Sequence, residues 1–151
     1  MQKNGKLTIL LAEDDRNDAE LFTHALRRND APARVEIVSD GEELINYVRG
    51  KGKYTDRKVH PFPSLILLDL KMPRLTGLEV LEWLRNQPEC GKLPIIMMSG
   101  SGLEQDIDRA YNLGVNTYFT KPARLEHLTE LVRVMVDYWL QSERPSVRHP
   151  C

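Results

Sequence analysis

Acidic, hydroxyl and amine side chains follow or end four short apolar runs of this 151-residue chain. Glu13 and Asp14 follow the first run, Asp69 follows the third, Ser99 closes the fourth, and Lys121 follows the fifth. In an open parallel α/β sheet, ligands bind beyond the carboxyl ends of the strands, where the strand order reverses. If the runs are parallel strands, three carboxylates, a hydroxyl and an amine share one rim.

Crowded carboxylates on such a rim predict a metal site. A buried carboxylate is unfavourable unless it is paired or metal-bound, and Glu13, Asp14 and Asp69 would repel one another. Mg²⁺ suits the group because it takes one or two carboxylates, keeps waters and pairs with phosphate oxygens. A single acidic residue after a strand more often caps a helix, as we expect for Asp15. The combination of four strand ends favours the metal site.

Alternating strands and helices must position these residues. Apolar residues recur at helical spacing between the runs, most clearly in the stripe that begins at Leu128 and ends at Trp139. Five strands that alternate with helices predict βαβ crossovers and a parallel sheet. The predicted strands are Leu7–Ala12, Val35–Val38, Leu65–Leu68, Ile95–Met98 and Thr117–Phe119.

Composition excludes several classes of protein. With 41% hydrophobic and 28% charged residues, the chain is not intrinsically disordered, and its length fits one domain. A net charge of −1 argues against nucleic acid or an anionic membrane as the main partner. No signal peptide is visible, and no apolar run approaches the ~20 residues that span a bilayer. Cys90 and Cys151 cannot make a disulfide framework and lack metal-ligand spacing, so we predict a reducing, cytoplasmic compartment.

Two segments stand outside the alternating plan. The connection Gly50–Pro63 is long, since about 2–6 residues usually join a helix to a strand. A solvated surface excursion is the favoured interpretation of this loop. Residues 142–151, with Pro145 and Pro150, predict a flexible tail after a domain that spans residues 1–141.

The ordered motifs resemble the receiver domain of bacterial two-component response regulators, over about Leu7–Leu140. The segment Asp69-Leu70-Lys71-Met72-Pro73, followed by Thr76-Gly77, is similar to the one after the family's phosphorylation site. The resemblance implies a flavodoxin-like, doubly wound, five-stranded parallel sheet in the order 2-1-3-4-5 with helices on both faces. The long Gly50–Pro63 connection and the Tyr138-Trp139 ending resemble stand-alone regulators associated with bacterial phytochromes. The implied partner is a sensor histidine kinase, including a phytochrome-type photoreceptor.

The resemblance also implies a role for each acidic residue. Asp69 would accept a phosphoryl group from a phosphohistidine. Asp14, Asp69 and the backbone carbonyl of Lys71 would bind Mg²⁺ directly, and Glu13 would act mostly through water. Phosphoryl transfer is mostly positioning and charge neutralisation, which a metal ion and an ammonium supply. The chain would thus assist its own phosphorylation without being an enzyme in the usual sense.

Further roles fall on the ends of the fourth and fifth strands. Ser99 would hydrogen-bond the phosphoryl group, Gly100 would leave room for it and offer a backbone N–H, and Lys121 would form an ion pair with it. In the family the peptide bond between the residues that correspond to Lys121 and Pro122 is cis, and this conformation helps to direct the lysine ammonium. Tyr118 lies where the family carries its aromatic switch residue; a half-buried edge aromatic without a switching role is the alternative.

The signal would leave through a surface built from Ile107–Leu113, Thr117–Phe119 and Leu125–Trp139. We predict that this surface forms a homodimer, because the last helix has more apolar residues than one core face requires, namely Val134, Tyr138 and Leu140. The alternative is that these side chains cover the sheet edge or the long loop.

Three other functions have less support from the sequence. A magnesium-dependent phosphohydrolase with Asp69 as nucleophile needs a second aspartate where Lys71 stands. A flavin binder of the same fold needs a glycine- and hydroxyl-rich loop after strand one, where Glu13-Asp14-Asp15 would repel a phosphate. A receiver-shaped interaction module that is never phosphorylated is the third.

Overall fold

The computed structural model describes residues 7–145 and 151, and strands alternate with helices throughout. Each predicted strand is present with ends shifted by two residues at most. The strands are β1 (Leu7–Ala12), β2 (Ala33–Val38), β3 (Leu65–Leu68), β4 (Ile95–Ser99) and β5 (Thr117–Thr120). The helices are α1 (Arg16–Arg28), α2 (Gly41–Arg49), α3 (Gly77–Asn86), α4 (Glu104–Asn112) and α5 (Leu125–Gln141), with a 3₁₀ turn at Gly52–Tyr54.

The five strands form one parallel sheet in the order β2-β1-β3-β4-β5. The predicted fold class is confirmed. The strand order reverses between β1 and β3, which places their carboxyl ends side by side, with Ala12 opposite Leu68. The three central strands are buried along most or all of their length, whereas the edge strands β2 and β5 are half-exposed.

Helices cover both faces of the sheet and create two separate cores. Leu10 and Ile66 face α2, α3 and α4, with Leu81 among the buried helix residues on that side. The neighbouring residue Ile9 faces the opposite core, where α1 and α5 pack, and Val132 is fully buried there. Because side chains alternate across a strand, the near-continuous apolar runs supply both cores at once.

The helix caps show which acidic residues near the rim have a structural role. Asp15 caps α1, and its carboxylate accepts a hydrogen bond from the Asn17 N–H at 2.9 Å. The capping role predicted for Asp15 is confirmed. Thr76 and Glu79 form a capping box at the start of α3. Asp14, immediately before the α1 cap, is exposed at the rim of the sheet.

The loop Gly50–Pro63 lies at the surface with half of its residues exposed, as expected of a solvated excursion, but it is also anchored on α2. Tyr54 is buried and its hydroxyl donates to Glu43 at 2.5 Å. The Arg57 guanidinium donates to the Val48 carbonyl at 2.9 Å and lies over the Tyr47 ring. These aromatic and guanidinium contacts are formed by residues that sequence periodicity does not single out, which is why the packing was not foreseen.

The structure pairs the two cysteines. Cys90 is fully buried, its Cα lies 5.6 Å from the Cα of Cys151, and the sulfur atoms form a disulfide across 61 positions. The Cys151 N–H donates to the Val48 carbonyl at 3.3 Å. The last residue of the predicted flexible tail is therefore packed against the domain. Residues 146–150 of that tail lie outside the described residues.

Within residues 7–145, no helix combines the length and apolar character needed to cross a membrane.

Candidate functional site

The backbone continues the sheet ladder for one residue beyond three strands, and this fixes the candidate residues at one rim. The Glu13 N–H donates to the Val38 carbonyl at 3.0 Å, and the Asp69 N–H donates to the Ala12 carbonyl at 3.1 Å. The Lys121 N–H donates to the carbonyl of Ser99 at 2.7 Å. Their side chains therefore project from positions that the sheet itself determines.

Three carboxylates gather at this rim as predicted. Glu13, Asp14 and Asp69 each offer one oxygen, and these oxygens lie within 4.8 Å of one another. Glu13 and Asp69 are buried, at 5% and 8% exposure, while Asp14 is open to solvent. Like charges this close repel, and a hard divalent cation with oxygen ligands removes the repulsion. The donor set fits Mg²⁺ or Mn²⁺.

The Lys121 ammonium lies inside this acidic group. Its Nζ donates to Glu13 Oε1 at 2.5 Å, to Asp18 Oδ2 at 2.9 Å and to Asp69 Oδ2 at 3.1 Å. Burial lowers the pKa of Lys121, but the hydrogen bonds to Glu13 and Asp18 outweigh burial and raise it above its usual range. The ammonium is therefore held protonated beside the Asp69 carboxylate.

Burial has the opposite consequence for Glu13. Removal from water raises the pKa of Glu13 to about 7, and the neighbouring Asp69 adds to this shift, while the hydrogen bond from Lys121 lowers it. Three carboxylates contact the Lys121 ammonium, and Asp14 lies beside two of them, so the site without a metal carries excess negative charge. A bound cation would supply the missing positive charge.

The segment after β3 brings a helix close to Asp69. The Gly77 N–H donates to the Leu70 carbonyl at 2.9 Å, and a Cβ at Gly77 would lie only 2.2 Å from the Asp69 carbonyl oxygen. Only glycine permits this approach, which explains the Thr76-Gly77 motif. Asp69 Oδ1 also faces the backbone N–H of Lys71, 3.4 Å away.

Ser99 and the loop after it form the other wall of the site. Ser99 is buried, and its Oγ accepts from the Ser101 N–H at 3.2 Å. It lines one cavity together with Asp69, Gly100 and Lys121. A Cβ at Gly100 would meet no atom within 4 Å, so this part of the cavity is open.

Tyr118 is hydrogen-bonded to the β4–α4 loop. Its hydroxyl donates to the Ser101 carbonyl at 2.8 Å, and its N–H donates to the Tyr111 hydroxyl at 3.1 Å. The half-buried ring packs against the core beneath α4. Hydrogen bonds therefore connect Ser99 to β5 through Ser101 and Tyr118.

Two details differ from the sequence-based expectations. The described peptide bonds are all trans, so the expectation of a cis bond before Pro122 is wrong, and Lys121 contacts Asp69 without it. Asp18 was also missed as a partner of Lys121. Its signal was present: the cap at Asp15 places Asp18 in the first turn of α1, which faces the rim.

Comparisons with known proteins agree with this architecture. The family described as the response regulator receiver domain matches residues 9–133. Response regulator Rcp1 from Synechocystis sp. is 31% identical over 141 residues, which cover 93% of this chain and 94% of Rcp1.

Solved structures give the same result. The phosphorylated cyanobacterial phytochrome response regulator RcpA is similar with a TM-score of 0.86 and 36% identity, covering 94% of this chain and 100% of that one. The Mn²⁺-bound form of Rcp1 follows with a TM-score of 0.82 and 31% identity, over 93% of this chain and 99% of its own. Because the family model spans residues 9–133 and a family relative is 31% identical over 93% of the chain, the chain belongs to the response regulator receiver domain family.

Proposed function

We propose that the chain accepts a phosphoryl group on Asp69 from a sensor histidine kinase of the phytochrome type. One observation carries this proposal: the buried Asp69 carboxylate belongs to an acidic cluster suited to a metal ion and also contacts the Lys121 ammonium. Two similar proteins, a phosphorylated phytochrome response regulator and a Mn²⁺-bound one, support it. A histidine kinase partner would place the reaction in the cytoplasm.

The metal would be held by Asp14, Asp69 and the Lys71 carbonyl, with Glu13 acting through water. When bound, Mg²⁺ neutralises charge on the phosphoryl oxygens. An Asp69 oxygen attacks phosphorus, the new O–P bond forms as the P–N bond to the donor histidine breaks, and the leaving imidazole keeps the electron pair. Positioning and charge stabilisation supply most of the catalysis in such transfers.

Three groups of this chain would then hold the product. The ammonium of Lys121 exchanges its contact with Asp69 for a phosphoryl oxygen. The Ser99 hydroxyl donates to a second oxygen, and the Gly100 N–H is free to donate to a third. The open space beside Gly100 and the shared cavity leave room for the group.

The phosphoryl signal would leave through the surface formed by α4, β5 and α5. The link is Tyr118, because its hydroxyl is bonded to the carbonyl of Ser101 in the loop that follows Ser99. Tyr111, Val134 and Tyr138 are 48%, 50% and 63% exposed. Leu140 packs against the core under α5, whereas Val134 and Tyr138 remain at least half exposed, which favours a homodimer through this surface.

Incubation with acetyl phosphate and Mg²⁺, followed by intact mass measurement, tests the proposal. The parent and Asp108→Asn, a change on the exposed face of α4, should both gain one labile phosphoryl group. Asp69→Asn and the parent in excess chelator should gain none. A parent that never gains the group, with metal present, would contradict the proposal and favour a receiver-shaped interaction module.

A further inference from the structure

Asp18 is a partner of Lys121 that lies outside the carboxylate cluster. It belongs to the first turn of α1, and its carboxylate is 39% exposed. Its Oδ2 lies 2.9 Å from Lys121 Nζ, closer than the 3.1 Å that separates Nζ from Asp69. The three oxygens that surround the proposed metal site come from Glu13, Asp14 and Asp69 instead.

The three partners of the ammonium have different fates during the proposed reaction. A lysine ammonium has three donor protons, and Glu13, Asp18 and Asp69 accept one hydrogen bond each. Metal binding draws on the oxygens of Glu13 and Asp69, and phosphorylation turns the Asp69 carboxylate into an acyl phosphate. Asp18 takes part in neither step, so it keeps its contact while the other two change.

We propose that Asp18 is a positioning residue, which holds the Lys121 ammonium within reach of the phosphoryl group while metal and phosphoryl group displace its other partners. This inference rests on the proposed function. A lysine has a flexible four-carbon stem, and a fixed anchor reduces the number of positions that its ammonium samples. An ammonium already in place needs little reorganisation during transfer.

Two other possible roles of Asp18 predict different effects on the rate of phosphoryl transfer. If the negative charge of Asp18 mainly repelled the incoming phosphoryl donor, loss of that charge would accelerate transfer in every neutral variant. If Asp18 only stabilised the N-terminus of α1 through the helix dipole, its loss would act independently of Lys121. The positioning role requires a hydrogen-bond acceptor and requires Lys121.

The test measures the rate constant for Asp69 phosphorylation by acetyl phosphate at saturating Mg²⁺. Asp18→Ala should slow the reaction about five- to tenfold, the size of coupling expected between side chains in contact. Asp18→Asn keeps an acceptor oxygen and should stay within about twofold of the parent. Glu20→Ala removes an exposed carboxylate from the same helix and should leave the rate unchanged.

A double-mutant cycle separates positioning from structural support. In a Lys121→Ala background, followed over longer incubation, Asp18→Ala should have no further effect. The same slowing in that background, or faster reaction in both Asp18 variants, would overturn the inference. If the parent is phosphorylated and Asp18→Ala is phosphorylated at the same rate, this inference alone is overturned. A parent that gains no phosphoryl group would remove the proposed function together with it.

Discussion

At the scale of single residues, the site holds more carboxylates than positive charges to pair with them. Three carboxylates contact one ammonium, a fourth lies beside them, and burial prevents water from screening Glu13 and Asp69. Such crowding reduces folding stability, and proteins retain it where a metal or a reacting group uses it. The balance among these groups leads to two predictions.

Asp14→Asn should weaken metal binding and stabilise the metal-free fold. One ligand oxygen loses its charge, so Mg²⁺ or Mn²⁺ affinity should fall about tenfold or more. Relief of repulsion should raise the free energy of unfolding in chelator by about 1 kcal/mol. Titration calorimetry and urea unfolding measure the two effects. Unchanged metal affinity would contradict the placement of Asp14 in the site.

The stability of the metal-free protein should depend on pH through Glu13. The folded protein raises the Glu13 pKa from 4.5 to about 7, so it holds this proton more tightly than the unfolded chain does. Stabilisation by protonated Glu13 is complete below about pH 4.5 and is lost as pH rises through 7. Urea unfolding in chelator at pH 5, 6, 7 and 8 should show this decline, and Glu13→Gln should flatten it. Equal slopes in both proteins would contradict it.

At the scale of elements, one arginine holds the loops that precede β4 and β5, at the end of the sheet away from the acidic site. Arg85, near the end of α3, donates to the carbonyls of Gly114 and Leu93, each at 2.8 Å, and to Asn116 Oδ1 at 2.9 Å. Asn116 Oδ1 also accepts from the Ile95 N–H at 2.8 Å. The guanidinium thus fixes the entries to β4 and β5.

Arg85→Ala should therefore lower the free energy of unfolding by about 2–3 kcal/mol, because several carbonyls lose a charged donor. Arg85→Lys should not restore it, since an ammonium lacks the planar, forked geometry. The matched control is Arg133→Ala, which removes only exposed ion pairs and should leave the free energy of unfolding nearly unchanged. Urea unfolding compares the three variants with the parent; equal losses for both alanine variants would contradict this role of Arg85.

The sequence predicted the sheet and the residues at its rim because both follow from strand apolarity and strand ends. It did not predict contacts made by residues outside the apolar pattern. The packing of Tyr54 and Arg57 against α2, and the pairing of Cys90 with Cys151, join positions that no periodicity connects. Asp18 lies in the first turn of α1, and Lys121 is next to it only in the fold, 103 positions away in the sequence.

At the scale of the whole molecule, the exposed apolar side chains of α4 and α5 predict self-association. Molar mass by light scattering, over a concentration series and with or without a phosphoryl mimic, should show a dimer of the parent. Tyr138→Asp places a charge at the most exposed of these side chains and should shift the equilibrium towards monomer at least about tenfold. Val59→Asp is the control, because Val59 is 56% exposed in the loop before β3. A parent that is monomeric under all conditions would exclude the dimer.

We propose that phosphorylation of Asp69 reaches the surface formed by α4, β5 and α5 through the contact between Ser101 and Tyr118. Backbone amide NMR of the Mg²⁺-loaded protein, before and after addition of beryllofluoride as a phosphoryl mimic, tests it most directly. We predict shifts at Asp69, Ser101 and Tyr118 that extend along the exposed side of α4, and none in Asp69→Asn. Shifts confined to the rim residues, with Tyr118 and α4 unchanged, would contradict the account.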